Sequence, residues 1–226
     1  MSSCSGSTSR KLIMNNVYLR SEIIATVRQF NKSGLSFGRS GNVSTRTPEG
    51  FLITPSGIDY DNMTAESINE LDTDGKIIDG NLKPSSEWHM HRAIYQARRD
   101  INAIVHVHSP YATGIACTRK PIPAFHYMVT VLGGDCINCA DYATFGTEEL
   151  AVNAVAALKN KMACLLANHG QIAVGENLAF AFRYAGEVEN LAHQYCISLQ
   201  AGGPILLDAE EMKVNIEKFR NYGKQC

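Results

Sequence analysis

The chain has 226 residues, 45% of them hydrophobic and 19% charged, enough for one large core, and a single domain is expected. Its 21 basic and 22 acidic side chains leave a net charge of −1, which excludes a chain-wide field that would recruit nucleic acid or an anionic membrane. No apolar run is long enough to span a bilayer, and MSSCSGSTSR lacks the apolar stretch of a secretory leader, so a cytoplasmic chain is expected. Seven scattered cysteines, an odd number, do not read as a disulfide framework.

Residues 1–9 are small and polar and are expected as a loose tail, with one domain over 10–226. Leu19, Ile23, Val27 and Phe30 recur at helical spacing, which predicts a first helix over 16–31, stopped by Gly34. Gly34, Gly38 and Gly41 precede a hairpin of strands 43–46 and 51–54 turned by Pro48-Glu49-Gly50. A second hairpin, 68–72 with 76–78, turns at Thr73-Asp74-Gly75. Pro84-Ser85-Ser86-Glu87 opens a helix to about 98, with a serine as N-cap and Glu87 in the first turn. A strand over 103–108 and a short helix from Pro110 follow, and 125–132 reads as extended until Gly133-Gly134. Thr147 caps a helix to 160, strands are expected at 162–167 and 171–174, and helices at 177–200 and 208–222. The last is amphipathic, with Met212, Ile216 and Phe219 on one stripe.

Spacing separates the seven histidines. His106 and His108 lie two apart on a β-branched strand, where alternate side chains share a face, so both imidazoles point the same way. Two such imidazoles are half of a tetrahedral zinc site, or else a pair packed into a sheet. His89 and His91 share the spacing but fall on a helix, where residues two apart diverge. His193, within the long helix, reads as a packing or surface residue, and His126 as a core residue or one that supports the site. His169, in Asn168-His169-Gly170 at the end of an apolar strand, sits where a sheet presents side chains to a cleft and is the candidate third ligand.

Glu87 is the candidate fourth group, an acid at a helix start that otherwise serves only that terminus. Ser85 and Ser86, with backbone amides at the same helix start, make an anion cradle or a simple cap. The Gly41-Asn42 and Ser56-Gly57 loops are placed to add amides to the same anion. Cys136-x-x-Cys139 has no second cysteine pair and no strand-to-helix setting, and is expected to be structural.

The segments GNVSTR, ITPSGI, KPSSEWHMH, IVHVHSP, AFHYM, ATFGT and ANHG, in this order over about 19–222, resemble the class II aldolase and epimerase family, and within it the fuculose-phosphate branch. The resemblance implies an α/β fold, a three-layer α/β/α sandwich around a mixed, mostly antiparallel sheet. It implies one zinc ion per subunit on His106, His108 and His169 with Glu87 as a fourth ligand and acid/base, and phosphate contacts from Gly41, Asn42, Ser56, Gly57, Ser85 and Ser86. Tyr127 matches the family's proton-donating tyrosine, and Tyr222 a second tyrosine contributed near a neighbouring subunit's site. It further implies a fourfold homotetramer with sites at subunit interfaces. The implied reaction is reversible cleavage of L-fuculose 1-phosphate to dihydroxyacetone phosphate and L-lactaldehyde. The alternatives are an aldolase or epimerase for L-rhamnulose 1-phosphate or L-ribulose 5-phosphate, and a non-catalytic oligomerising head. The epimerases carry aspartate at the Glu87 position, and the heads lack the metal histidines.

Overall fold

The computed structural model describes residues 5–221, with side chains over 16–219. Helix α1 spans Ser5–Ser33. Its packed part is the expected one, since Ile23, Val27 and Phe30 are fully buried. Residues 5–9, expected as a loose tail, form its first turns, because extending a helix already nucleated on the core fixes one residue per added hydrogen bond.

Strands β1 (Asn42–Arg46) and β2 (Gly50–Ile53) form the first hairpin, and β3 (Asn69–Asp72) and β4 (Ile77–Asp79) the second. Helix α2 (Trp88–Ala97) leads to β5 (Ala103–Val107), then α3 (Pro110–Ala116), β6 (Cys139–Ala140), α4 (Glu148–Ala157), β7 (Ala163–Leu166), β8 (Gly170–Gly175), α5 (Leu178–Gln200) and α6 (Ala209–Asn221). The strands form one eight-stranded sheet in the order β4-β3-β2-β1-β5-β8-β7-β6, antiparallel throughout except for the parallel pair β6 and β7. Thr147 and Asn177 cap α4 and α5, their side chains accepting from the backbone N–H groups of Leu150 and Phe180.

Strand alternation divides the core into two layers. Val43, Leu52, Val105 and Ala173 face α1, α3 and α5, while Ile53, Ile104, Ile172 and Val174 face α2 and α4. The result is the expected α/β/α sandwich with a mixed sheet. Central β5 is buried along its whole length, and His106 follows Ile104 on the α2 side.

Three local expectations need correction. Residues 127–132 form a 3-10 helix rather than extended chain, because His126 acts as its N-cap and its Nδ1 accepts from the Met128 amide. Glu87 is the N-cap residue of α2 rather than part of its first turn, and its carboxylate makes no capping bond. The two-residue strand β6 went unforeseen, since Cys139-Ala140 is too short to show a period.

Candidate active site

At the end of β5 the chain brings three imidazoles together. His106 is fully buried, and its Nε2 lies 3.0 Å from His108 Nε2, although His108 sits one residue beyond the strand. His169 arrives from the turn between β7 and β8, which Asn168 closes in the left-handed region at φ 53°. The three rings stand edge to face at centroid separations of 4.8 to 4.9 Å. Gly170 makes the approach possible: a Cβ there would lie 2.6 Å from the Val107 carbonyl oxygen and 2.8 Å from the His108 ring.

Free of a capping bond, the Glu87 carboxylate turns into this cluster. Oε2 lies 3.1 Å from His106 Nε2 and accepts from Asn42 Nδ2 at 3.0 Å, and Oε1 lies 3.3 Å from His169 Nε2. Burial pushes the carboxyl pKa up, but His106, then His169 and the Asn42 bond, outweigh it and hold Glu87 well below the usual carboxylate range. The same coupling raises His106 despite burial, through Glu87 and the Gln171 carbonyl. Burial and the neighbouring His106 push His108 down to about 3 and His169 down to about 4. The cluster thus holds one negative charge facing a set of mostly neutral imidazoles.

That donor set fits a divalent cation. Among the described residues, His106, His108 and His169 are the group of three side chains whose ligand atoms lie close enough to share an ion, within 4.8 Å of one another. His106 Nδ1 lies 2.8 Å from the Gln171 carbonyl oxygen, to which it donates, leaving the Nε2 lone pair aimed inward. Glu87 Oε1 is buried and accepts no hydrogen bond, an orphan that a cation would satisfy.

Above the cluster opens a cavity of about 360 Å³ lined by Gly41, Asn42, Ser56, Gly57, Ser85 and Ser86 together with Glu87, His108 and His169. The chain therefore gathers all six expected phosphate residues beside the histidines. Their contribution differs from expectation in one respect. The amides of Gly41, Ser56 and Ser85 already donate to Tyr60 Oη, the Lys83 carbonyl and the Thr54 carbonyl, so they are not available to an anion. Gly41 serves instead as a point of close approach, since a Cβ would meet the His106 carbonyl and the Phe30 ring at 2.8 Å. Arg39, missed in the sequence, also lines the cavity, where its guanidinium donates to the Gly57 carbonyl and pairs with Asp59 at 3.4 Å. Its place after a glycine loop carried no periodic signal.

Tyr127 is not brought to this cavity. Nearly half exposed, it lines a second cavity with Arg183, Tyr184 and Phe219 of α5 and α6, and stacks on Phe219 at 6.1 Å. Tyr222 lies outside the described residues. The remaining histidines have other tasks. His89 stacks on Trp88 and bonds Glu148, His193 stacks on Tyr111, and His91, expected to diverge harmlessly from His89, is fully buried behind Asn42. Cys136 sits against Asn138 and Lys161 rather than a metal group.

Comparison with known proteins decides the family. A model of the class II aldolase and adducin N-terminal domain matches residues 21–196, most of the chain and every histidine of the cluster. The chain belongs to the class II aldolase family. It is 46% identical to a 5-methylthioribulose-1-phosphate/5-deoxyribulose-1-phosphate aldolase of Rhodospirillum rubrum, an alignment covering 92% of this chain and 94% of that protein. It is 47% identical to an L-fuculose phosphate aldolase of Escherichia coli over 91% of this chain and 95% of the relative. A solved L-fuculose 1-phosphate aldolase superposes with a TM-score of 0.87 at 43% identity, covering 89% of this chain and 96% of the other. This class II aldolase is a lyase, and class II aldolases are metal dependent.

Proposed function

We propose that this aldolase cleaves L-fuculose 1-phosphate to dihydroxyacetone phosphate and L-lactaldehyde, reversibly and with zinc. The observation that carries the reading is the convergence of three imidazoles on Glu87 beside a cavity that Ser56, Ser85, Ser86 and Arg39 line together with Glu87, His108 and His169. A phosphorylated ketose offers a phosphate to the serines and Arg39 and a carbonyl to an ion on the histidines.

His106, His108 and His169 hold the ion, and three imidazoles beside one carboxylate suit zinc. When bound, it supplies Lewis acidity to the ketose carbonyl and its neighbouring hydroxyl. The serine hydroxyls and Arg39 bind the phosphate, and that remote binding energy orients the reacting carbons. In cleavage the carbon–carbon bond between C3 and C4 breaks, its electron pair stays on C3, and the C4 hydroxyl proton leaves as the aldehyde forms. Glu87 delivers the proton that C3 then takes, and in synthesis it removes that proton from dihydroxyacetone phosphate. In synthesis the Tyr127 hydroxyl gives its proton to the aldehyde oxygen as the ionised Glu87 takes the C3 proton, and cleavage runs the same two transfers in reverse from the protonation states these leave. Because Tyr127 lies away from its own chain's histidines, it acts on the site of an adjacent copy, in a homotetramer whose sites lie at subunit interfaces and to which Tyr222 is the second tyrosine assigned. The enzyme works in the cytoplasm, where phosphorylated sugars are retained.

A second reading has a specific observation behind it. The Rhodospirillum rubrum relative, named for a five-carbon 5-substituted ketose phosphate, is as similar as the fuculose-phosphate relatives. The same cleavage of 5-deoxyribulose 1-phosphate leaves a two-carbon aldehyde, so only the aldehyde end of the pocket, near Phe145, separates the two readings. The deciding experiment is a cleavage assay across L-fuculose 1-phosphate, 5-deoxyribulose 1-phosphate, L-rhamnulose 1-phosphate and L-ribulose 5-phosphate, with and without a chelator. The highest kcat/KM on L-fuculose 1-phosphate, abolished by the chelator, is expected. A clear preference for 5-deoxyribulose 1-phosphate transfers the assignment to the second reading.

A further inference from the structure

Behind Glu87 runs a buried polar chain that no step of the reaction described so far uses. Tyr95 Oη lies 2.8 Å from Ser44 Oγ, and Ser44 Oγ lies 2.6 Å from His91 Nδ1. On its other side His91 Nε2 lies 2.6 Å from Asn42 Oδ1, and Asn42 Nδ2 lies 3.0 Å from Glu87 Oε2. His91 and Ser44 are fully buried and neither lines the substrate cavity.

One direction of hydrogen bonding satisfies every member. The ionised Glu87 carboxylate only accepts, so Asn42 must turn its NH2 towards Glu87 and its carbonyl towards His91. A carbonyl also only accepts, so His91 must carry its proton on Nε2. Nδ1 then accepts from the Ser44 hydroxyl, and Ser44 accepts from the Tyr95 hydroxyl. Reversed, the chain would set the amide carbonyl against the carboxylate. It would also leave the Tyr95 proton with no acceptor in the chain, a costly arrangement for buried groups.

The consequence concerns what grips Glu87. Its neighbours with donor capacity are His106, His169 and Asn42, and the two imidazoles belong to the metal reading. Asn42 is thus the protein donor left to orient the carboxylate, and the orientation of Asn42 is set by His91. We propose that His91 is a positioning residue for the Glu87 proton transfer, acting through the Asn42 side-chain amide, with Ser44 and Tyr95 fixing its tautomer. The proposal rests on the reading of Glu87 as the group that moves the proton.

The test is a double-mutant cycle on the metal-loaded enzyme, with kcat, KM and metal content read for His91→Phe, His91→Gln, Asn42→Ala and the combination of His91→Phe with Asn42→Ala. His91→Phe is expected to lower kcat by about 10- to 100-fold, with metal content unchanged and KM within about twofold. His91→Gln retains an N–H near the Nε2 position and is expected to recover most of the loss. In the Asn42→Ala background His91→Phe is expected to cost less than about twofold, because no amide remains to orient. A full repeat of the loss in that background, or equal losses in the Phe and Gln variants, overturns the proposal. Should His91→Phe fail to fold, the same cycle with Ser44→Ala decides it by the same criterion. Glu87→Gln run in parallel separates the two readings. If it retains turnover, the assignment of Glu87 falls and the positioning role with it; if it is inactive while the cycle is additive, only the positioning role falls.

Discussion

His91 shows how one residue carries both stability and pH dependence. Burial, then the nearby His106, push its pKa from 6.5 down to about 3, so the folded protein holds it neutral while the unfolded chain protonates it readily. Its contribution is fully present above about pH 6.5 and is lost as the pH falls from there towards 3. Between pH 7 and 5 this amounts to about 2 kcal/mol. Denaturant midpoints of the wild type and His91→Gln, compared at both pH values, should show the wild type losing that much more than the variant. Equal losses would mean that His91 is already protonated in the fold. The sequence could not show this role. Its period-2 pair with His89 argued correctly against a shared chelate, but whether either ring is buried depends on β1 lying alongside α2, which no local spacing encodes.

At the scale of elements, the site is built by the meeting of β5, the turn before β8 and the start of α2, and each was legible for a different reason. Alternation put His106 and His108 on one face, and Asn168-His169-Gly170 was a turn by residue type alone. The start of α2 was placed one residue early, because Glu87 occupies a capping position without using its side chain to cap. The segment 125–132 reads as extended in the sequence, since the cap that His126 gives the 3-10 helix is a tertiary choice over an apolar run. Gly170 lies so close to β5 that it leaves no room for a Cβ, which would meet the Val107 carbonyl oxygen at 2.6 Å. Gly170→Ala is expected to force Val107 and His108 aside, destabilising the fold by about 1 to 3 kcal/mol. It should also weaken metal affinity by about tenfold or more, read by competition with a chelator. An alanine variant that binds the ion as tightly as the wild type would show that the imidazole cluster tolerates displacement.

For the whole molecule, the sandwich supplies a rigid sheet end on which the histidines converge, while Tyr127 and α6 lie around a different cavity. Within the tetramer reading, Glu87→Gln and Tyr127→Phe chains are each inactive alone. Hybrids assembled from equal amounts of both should regain about a quarter of wild-type activity, because that share of sites pairs an intact Glu87 with an intact neighbouring Tyr127. No recovery in verified hybrids would return Tyr127 to its own chain's site or remove it from the reaction. In the proposed mechanism His106, His108 and His169 hold an ion beside a carboxylate that moves the proton. Metal content and turnover measured together on purified Glu87→Gln and His106→Ala test it most directly. Glu87→Gln is expected to keep its metal and lose most turnover, while His106→Ala is expected to lose both. A metal-replete, active Glu87→Gln enzyme, or an active His106→Ala enzyme without metal, would contradict it.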